Sequence, residues 1–169
     1  MRQELSFEIP YTIGFCMLGD EVLMLHRKFP PNQNLWNGIG GKIDADETPD
    51  EAMMREMTDE TGLDVNQVQS LNHVGVVRWN GVSDPDNSYK GMYAYIIRFQ
   101  DGIDWKSKKT DEGLLAWKKL GWVLDKRNRQ VVSNIAHFLP VMLETSVPVI
   151  YDCHYVDGSF EKLSIYPLD

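Results

Sequence analysis

Three observations on this chain predict an α/β fold, a mixed β-sheet with a helix on each face. Short apolar runs rich in β-branched and aromatic residues lie before, between and after two stretches of helical periodicity. Clusters of Gly, Pro and Asn separate them, with no long linker and no internal repeat. The length of 169 residues, 43% of them apolar, suits one domain with a real core, so residues 1–169 are read as a single domain.

Residues 11–17 and 22–27 read as two strands around Gly19-Asp20, a hairpin signal. The stretch PPNQNLWNGIGGK that follows reads as a loop, because its residues tolerate turns and close backbone approach. Thr48 caps a helix, Pro49 fits its first turn, and Glu51 closes a capping box onto Thr48. That helix runs to Thr61 and stops at Gly62, with Ala52, Met53 and Met57 at the 3–4 spacing of a buried face. Residues 74–79, 89–99 and 114–120 read as strands, with loops at 80–87 and 100–112. A second helical pattern covers residues 130–144, with Pro140 as a kink or boundary. Residues 149–156 and 160–166 flank Asp157-Gly158, a two-residue hairpin signal.

Lys and Arg total 17 against 25 Asp and Glu, a net charge of −8, which argues against a nucleic-acid polymer as partner. An anionic ligand then needs a cation to mediate. No window approaches the roughly 18 apolar residues of a membrane span, and the start MRQELSFEIP lacks the layout of a signal peptide, so no membrane partner and a cytoplasmic location are expected. Cys16 and Cys153 sit in apolar stretches and read as buried free thiols. His26, His73, His137 and His154 never pair at i, i+4 or beside a cysteine, which disfavours zinc.

Glu56, Asp59 and Glu60 stand at i, i+3 and i+4 on the first helix, so three carboxylates are expected to converge on one face. Like charges that close repel unless neutralised, and a hard divalent cation that prefers carboxylate oxygen does so. The alternative is a solvated acidic face.

From Gly41 the chain reads GKIDADETPDEAMMREMTDETGL, with Gly41, Glu47, Arg55-Glu56-Met57, Asp59-Glu60 and Gly62-Leu63 at set spacing. This resembles the Nudix box, G-x5-E-x7-R-E-U-x-E-E-x-G-U with U aliphatic, and departs from it only at Asp59, where the pattern has Glu. A chance match to the six other fixed letters has odds on the order of one in 10⁵. The resemblance implies a Nudix-type α/β/α sandwich and hydrolysis of a nucleoside diphosphate linked to another group, with Mg²⁺, or Mn²⁺ in its place. It also implies that Glu56 and Glu60 are metal ligands, Asp59 a third carboxylate, Arg55 the group that orients a carboxylate, the Gly40 carbonyl a further ligand, and Glu47 a support for the loop. Glu112, or its neighbour Asp111, matches an additional acid that some members use as ligand or base. Replacing Glu by Asp at position 59 shortens the reach by one methylene, which weakens direct coordination.

Residues 35–42, LWNGIGGK, resemble the stretch in MutT-like enzymes that hydrolyse oxidised purine nucleoside triphosphates, where the Asn of W-N-G contacts the base. That resemblance assigns Asn37 to base recognition; the other reading is a turn residue before Gly38. Asn134, six residues before Pro140, falls where related enzymes place a base-contacting amide or carboxylate. Arg27 is a candidate phosphate contact, or else a strand-end surface cation. Trp79, Trp105, Trp117 and Trp122 read as core. The expected reaction is hydrolysis of a small nucleoside triphosphate such as 8-oxo-dGTP to monophosphate and pyrophosphate. The alternatives are another nucleoside diphosphate derivative, such as a nucleotide sugar or dinucleotide, or a nucleotide-sensing module without turnover.

Overall fold

The computed structural model describes residues 8–79 and 90–168. The expected loop at 80–87 and the first residue of the expected strand at 89 lie outside them. The described strands are β1 (Glu8–Leu18), β2 (Glu21–Arg27), β3 (Trp36–Asn37), β4 (Val68–Trp79), β5 (Lys90–Phe99), β6 (Lys108–Thr110), β7 (Gly113–Lys119), β8 (Val149–Val156) and β9 (Ser159–Pro167). They form one sheet in the order β6-β7-β2-β1-β5-β4-β8-β9, with β3 added to β2. The β1–β5 and β4–β8 pairs are parallel and the other strand pairs antiparallel, so the sheet is mixed as expected. The last hairpin closes on Asp157 (φ 50°) and Gly158 (φ 78°), both left-handed, as a two-residue turn matched to strand twist requires.

Helix α1 (Pro49–Thr61) starts where its caps say it should. Thr48 is extended (φ −74°, ψ 161°), and its Oγ1 accepts from the Glu51 N–H at 3.2 Å. At the other end Gly62 takes φ 70° and donates its N–H to the Thr58 carbonyl at 2.9 Å. Met53 and Met57 are fully buried against Leu23, Leu25, Ile39, Ile97 and Leu115 on one face of the sheet. On the other face Ile135, Phe138, Leu139 and Met142 of α3 (Ile135–Glu144) pack on Phe15, Ile96 and Tyr151. Neighbours along a strand serve opposite cores, Phe15 and Cys16 in β1 and Ile96 and Ile97 in β5, because side chains alternate across a sheet. Each such large side chain contributes about 1.5–3 kcal/mol on full burial. Both cysteines are free and buried.

Several elements depart from expectation. β4 begins at Val68, six residues early, in a stretch with exposed Gln69 and Asn72 whose register shifts between His73 and Gly75. β3 and β6 appear inside expected loops, since strands this short exist only through their pairing to β2 and β7. Leu120 opens a short helix, α2 (Leu120–Val123), and does not end β7. The second helical pattern starts at Ile135 and not at 130, because residues 130–132 are drawn alongside β3: Trp36 N–H bonds the Gln130 carbonyl at 2.8 Å and Val132 N–H the Trp36 carbonyl at 3.0 Å. Pro140 lies inside α3 and does not end it. Among the described residues no helix is long and apolar enough to cross a membrane.

Candidate active site

The loop before α1 is laid along β1 as an irregular extra edge. Gly14 and Ile39 exchange both backbone bonds, at 2.6 and 3.0 Å, Thr12 N–H reaches the Gly41 carbonyl at 2.9 Å, and Ile43 N–H the Pro10 carbonyl at 2.9 Å. Two glycines permit this. A Cβ on Gly40, whose φ is 156°, would stand 2.1 Å from the Thr12 carbonyl oxygen, and one on Gly41 would stand 2.5 Å from Oε1 of Glu56. The Glu56 carboxylate therefore rests directly on the Gly41 backbone.

Arg55 organises the acidic residues around it. Its Nε and Nη2 donate to the two oxygens of Glu47 at 2.9 and 2.5 Å, its Nη1 to Glu56 at 3.0 Å, and its Nη2 also to the Lys42 carbonyl at 3.0 Å. The fork holds the Glu47 carboxyl down to about 2, helped by the Asp44 N–H at 2.8 Å. Glu47 and Arg55 thus tie the loop to the helix.

The expected convergence of Glu56, Asp59 and Glu60 is partial: Asp59 acts on Glu56 but is not among the groups acting on Glu60. The Asp59 side chain is 66% exposed and lies 3.9 Å from Arg55, its i−4 neighbour. Glu56 and Glu60, one turn apart, face inward, and Asp59 sits round the helix on the water side. The third carboxylate facing Glu60 is instead Glu112, from the turn between β6 and β7. That turn is held by Thr110, whose Oγ1 accepts from Glu112 N–H at 3.2 Å, and by Lys28 N–H on the Glu112 carbonyl at 2.8 Å.

Glu60 is the most perturbed of these groups. Both of its carboxylate oxygens are buried without a hydrogen bond. Burial pushes its carboxyl well above the ordinary range, Glu112 and Glu56 push it further, and the nearby Gly40 amide opposes them only weakly. Burial also raises Glu56, against the pull of Arg55 and with a push from Glu112 and Asp59. A buried carboxylate beside two others, with a single weak amide donor, binds a proton or meets a cation. Oxygen donors from Glu56, Glu60 and Glu112 suit a hard divalent cation. Among the described residues no three Asp, Glu, His or Cys side chains already stand grouped at ligating distance. The orphaned oxygens of Glu60 are what fit the ion.

The three candidate substrate contacts are engaged elsewhere. Arg27 Nε donates to the Pro31 carbonyl at 2.6 Å and staples the loop that follows β2. Asn37, in β3 and not in a turn, accepts on Oδ1 from the next residue, Gly38 N–H, at 2.9 Å. Asn134 Nδ2 donates to the Tyr155 hydroxyl at 2.9 Å, beside an open cleft of about 800 Å³ lined by Leu35, Val131, His137, Tyr155 and Phe160, with Lys126 and Arg129 also on its wall. Sequence reasoning missed two supports of α1. The Tyr95 hydroxyl donates to Asp50 at 2.5 Å, and Trp105 Nε1 to the Thr61 carbonyl at 2.9 Å. Partners 45 and 44 residues apart leave no local pattern to find.

A family model described as the NUDIX domain matches residues 9–135. The oxidized purine nucleoside triphosphate hydrolase of Mus musculus is 31% identical over 64 residues, 38% of this chain and 41% of that protein. The RNA pyrophosphohydrolase of Marinomonas sp. (strain MWYL1) is 51% identical over 60 residues, 36% of this chain and 37% of that protein. The chain thus spans about two fifths of the length of these curated relatives. The solved MutT protein of Bacillus halodurans superposes with a TM-score of 0.70 at 22% identity, over 92% of this chain and 95% of that one, which supports the fold. With the motif in place at the turn before α1 and a family model spanning well over half of its length, the chain belongs to the NUDIX domain family.

Proposed function

We propose that this protein is a Mg²⁺-dependent pyrophosphohydrolase of a small nucleoside triphosphate, releasing nucleoside monophosphate and pyrophosphate. The observation that carries the reading is Glu60, buried beside Glu56 and Glu112 with only the Gly40 amide near it as a donor. Glu56, Glu60 and Glu112 would hold the cation, with the Gly40 carbonyl as a further ligand, Asp59 acting through water from its exposed position, and Mn²⁺ able to replace Mg²⁺. When bound, the ion neutralises charge on the phosphate oxygens. Arg55 aims Glu56 and partly offsets the upward push of burial on it, with Glu47 holding the guanidinium in place. Glu112 reaches this cluster from an exposed turn, and a carboxylate of the cluster would take the proton of the attacking water. The water oxygen bonds to phosphorus, the bridging P–O bond breaks, and its electron pair leaves on pyrophosphate.

For the substrate, the W-N-G stretch and the name of the mouse relative support an oxidised purine such as 8-oxo-dGTP. Asn37 would then read the base through its amide N–H₂, since its oxygen serves Gly38. Asn134 and Arg27 would have to turn from Tyr155 and Pro31 toward the ligand. The 800 Å³ cleft with Lys126 and Arg129 favours a second reading, a nucleoside diphosphate joined to a larger anionic group. The test is turnover of 8-oxo-dGTP, dGTP and the other common triphosphates, with dinucleotides and nucleotide sugars alongside, products quantified and kcat/KM compared. At least tenfold preference for the oxidised purine is expected, the scale of one well-placed hydrogen bond. Turnover confined to dinucleotides or nucleotide sugars moves the assignment to the second reading, and binding without turnover would mean a sensor.

A further inference from the structure

We infer that Trp105 and Trp117 are positioning residues that set the separation of Glu112 from Glu60 by fastening the β6–β7 hairpin to the C-terminal end of α1. The inference rests on the reading of Glu60 and Glu112 as cation ligands. Thr61 directly follows Glu60, and its carbonyl belongs to the last turn of α1, where backbone acceptors lack helical partners. Trp105 Nε1 supplies a donor at 2.9 Å. Trp105 is itself held by Trp117, whose Nε1 donates to the Trp105 carbonyl at 3.1 Å and whose ring meets it edge-on at 6.2 Å and 89°. Trp117 lies in β7 opposite Leu23 of β2, inside the sheet. A short chain of contacts therefore runs from the sheet through two indoles to the residue next to Glu60.

The hairpin needs such an anchor. β6 is three residues long, at the edge of the sheet and mostly exposed, so its own pairing restrains it weakly. Thr110 and Lys28 fix the shape of the turn around Glu112, whereas Trp105 links the strand pair to the helix that carries Glu56 and Glu60. Ligand geometry tolerates little error, and loss of a group that orients a ligand typically lowers metal affinity about 10–100-fold.

The test uses Trp105→Phe, which keeps an aromatic ring and removes the donor. Mn²⁺ affinity is measured directly by paramagnetic resonance, with the unfolding temperature and kcat recorded beside it. About a tenfold loss of Mn²⁺ affinity is expected, at the low end of that range. In an E112Q background the same substitution should leave affinity unchanged, since the residue it positions is already disabled. Trp117→Phe should give the same pattern more weakly, and stands in if the Trp105 variant does not fold. Unchanged affinity in both Trp variants, or an equal loss with and without Glu112, would reduce the pair to structural support and overturn the inference. If E60Q and E112Q alone bind Mn²⁺ as the parent protein does, the cation site itself is misassigned, a different result that removes both readings.

Discussion

The two faces of the sheet are packed alike and equipped differently. On the α1 face, buried methionines and leucines surround a carboxylate whose oxygens make no hydrogen bond, and every group near it is tied down: Glu47 and Glu56 by Arg55, the loop backbone by β1, the helix ends by Tyr95 and Trp105. On the α3 face the polar groups beside the cleft bond one another, as Asn134 and Tyr155 do, while among the described residues Lys126 and Arg129 make no ion pair. One face stores electrostatic strain for a ligand, and the other is at rest. The proposed function puts reaction chemistry on the first face and selection of the attached group on the second.

The largest expected effect comes from Glu56→Gln, which keeps the shape resting on Gly41 and removes the charge. Turnover should fall about 10²–10³-fold or more, as for loss of one preorganised charge-stabilising group, with the unfolding temperature little changed. Steady-state kinetics and a melting curve decide it. If Asn134→Ala cost as much, the division between the faces would fail.

Arg55→Lys should follow, at about 10–100-fold in kcat, because a single ammonium cannot serve Glu47, Glu56 and the Lys42 carbonyl together. A kcat within threefold of the parent would show that the fork only braces the loop.

The smallest effect is on the pH dependence of stability in cation-free protein. The Glu60 carboxyl is raised in the fold, so the native state holds a proton that the unfolded chain loses near its ordinary value of about 4.3. Stability should therefore fall as pH rises above that value, and Glu60→Gln should flatten the slope. Glu47 acts with the opposite sign: its carboxyl is lowered to about 2, so the stability it contributes is present above about 4.3 and lost as pH falls toward 2. Denaturant titrations across that range, with and without Mg²⁺, separate the two, and Mg²⁺ should remove the Glu60 slope alone. A slope unaffected by Glu60→Gln would place the burial cost elsewhere.

What could be read from sequence was local. The cap at Thr48, the stop at Gly62, the buried face of α1 and the Asp157-Gly158 turn each depend on residues within one turn or one hairpin, where dihedral preference and side-chain spacing suffice. Arg55 meets both Glu47 and Glu56, residues singled out by the resemblance and not by spacing alone, because the loop feeding the helix lies within reach of one guanidinium. What failed was contact between distant segments. β3, β6 and the early start of β4 are strands by virtue of their neighbours, and the start of α3 gave way to backbone pairing with Trp36.

By itself, then, the sequence determined the fold class, the first helix with its ends, and the acids that helix carries, since these follow from periods of two and 3.6 and from capping chemistry. Only the tertiary structure decided which acids meet. Asp59 turns to water and Glu112 comes in from a hairpin more than fifty residues away, because the packing of that hairpin beside α1, and not spacing along one helix, decides which groups face Glu60.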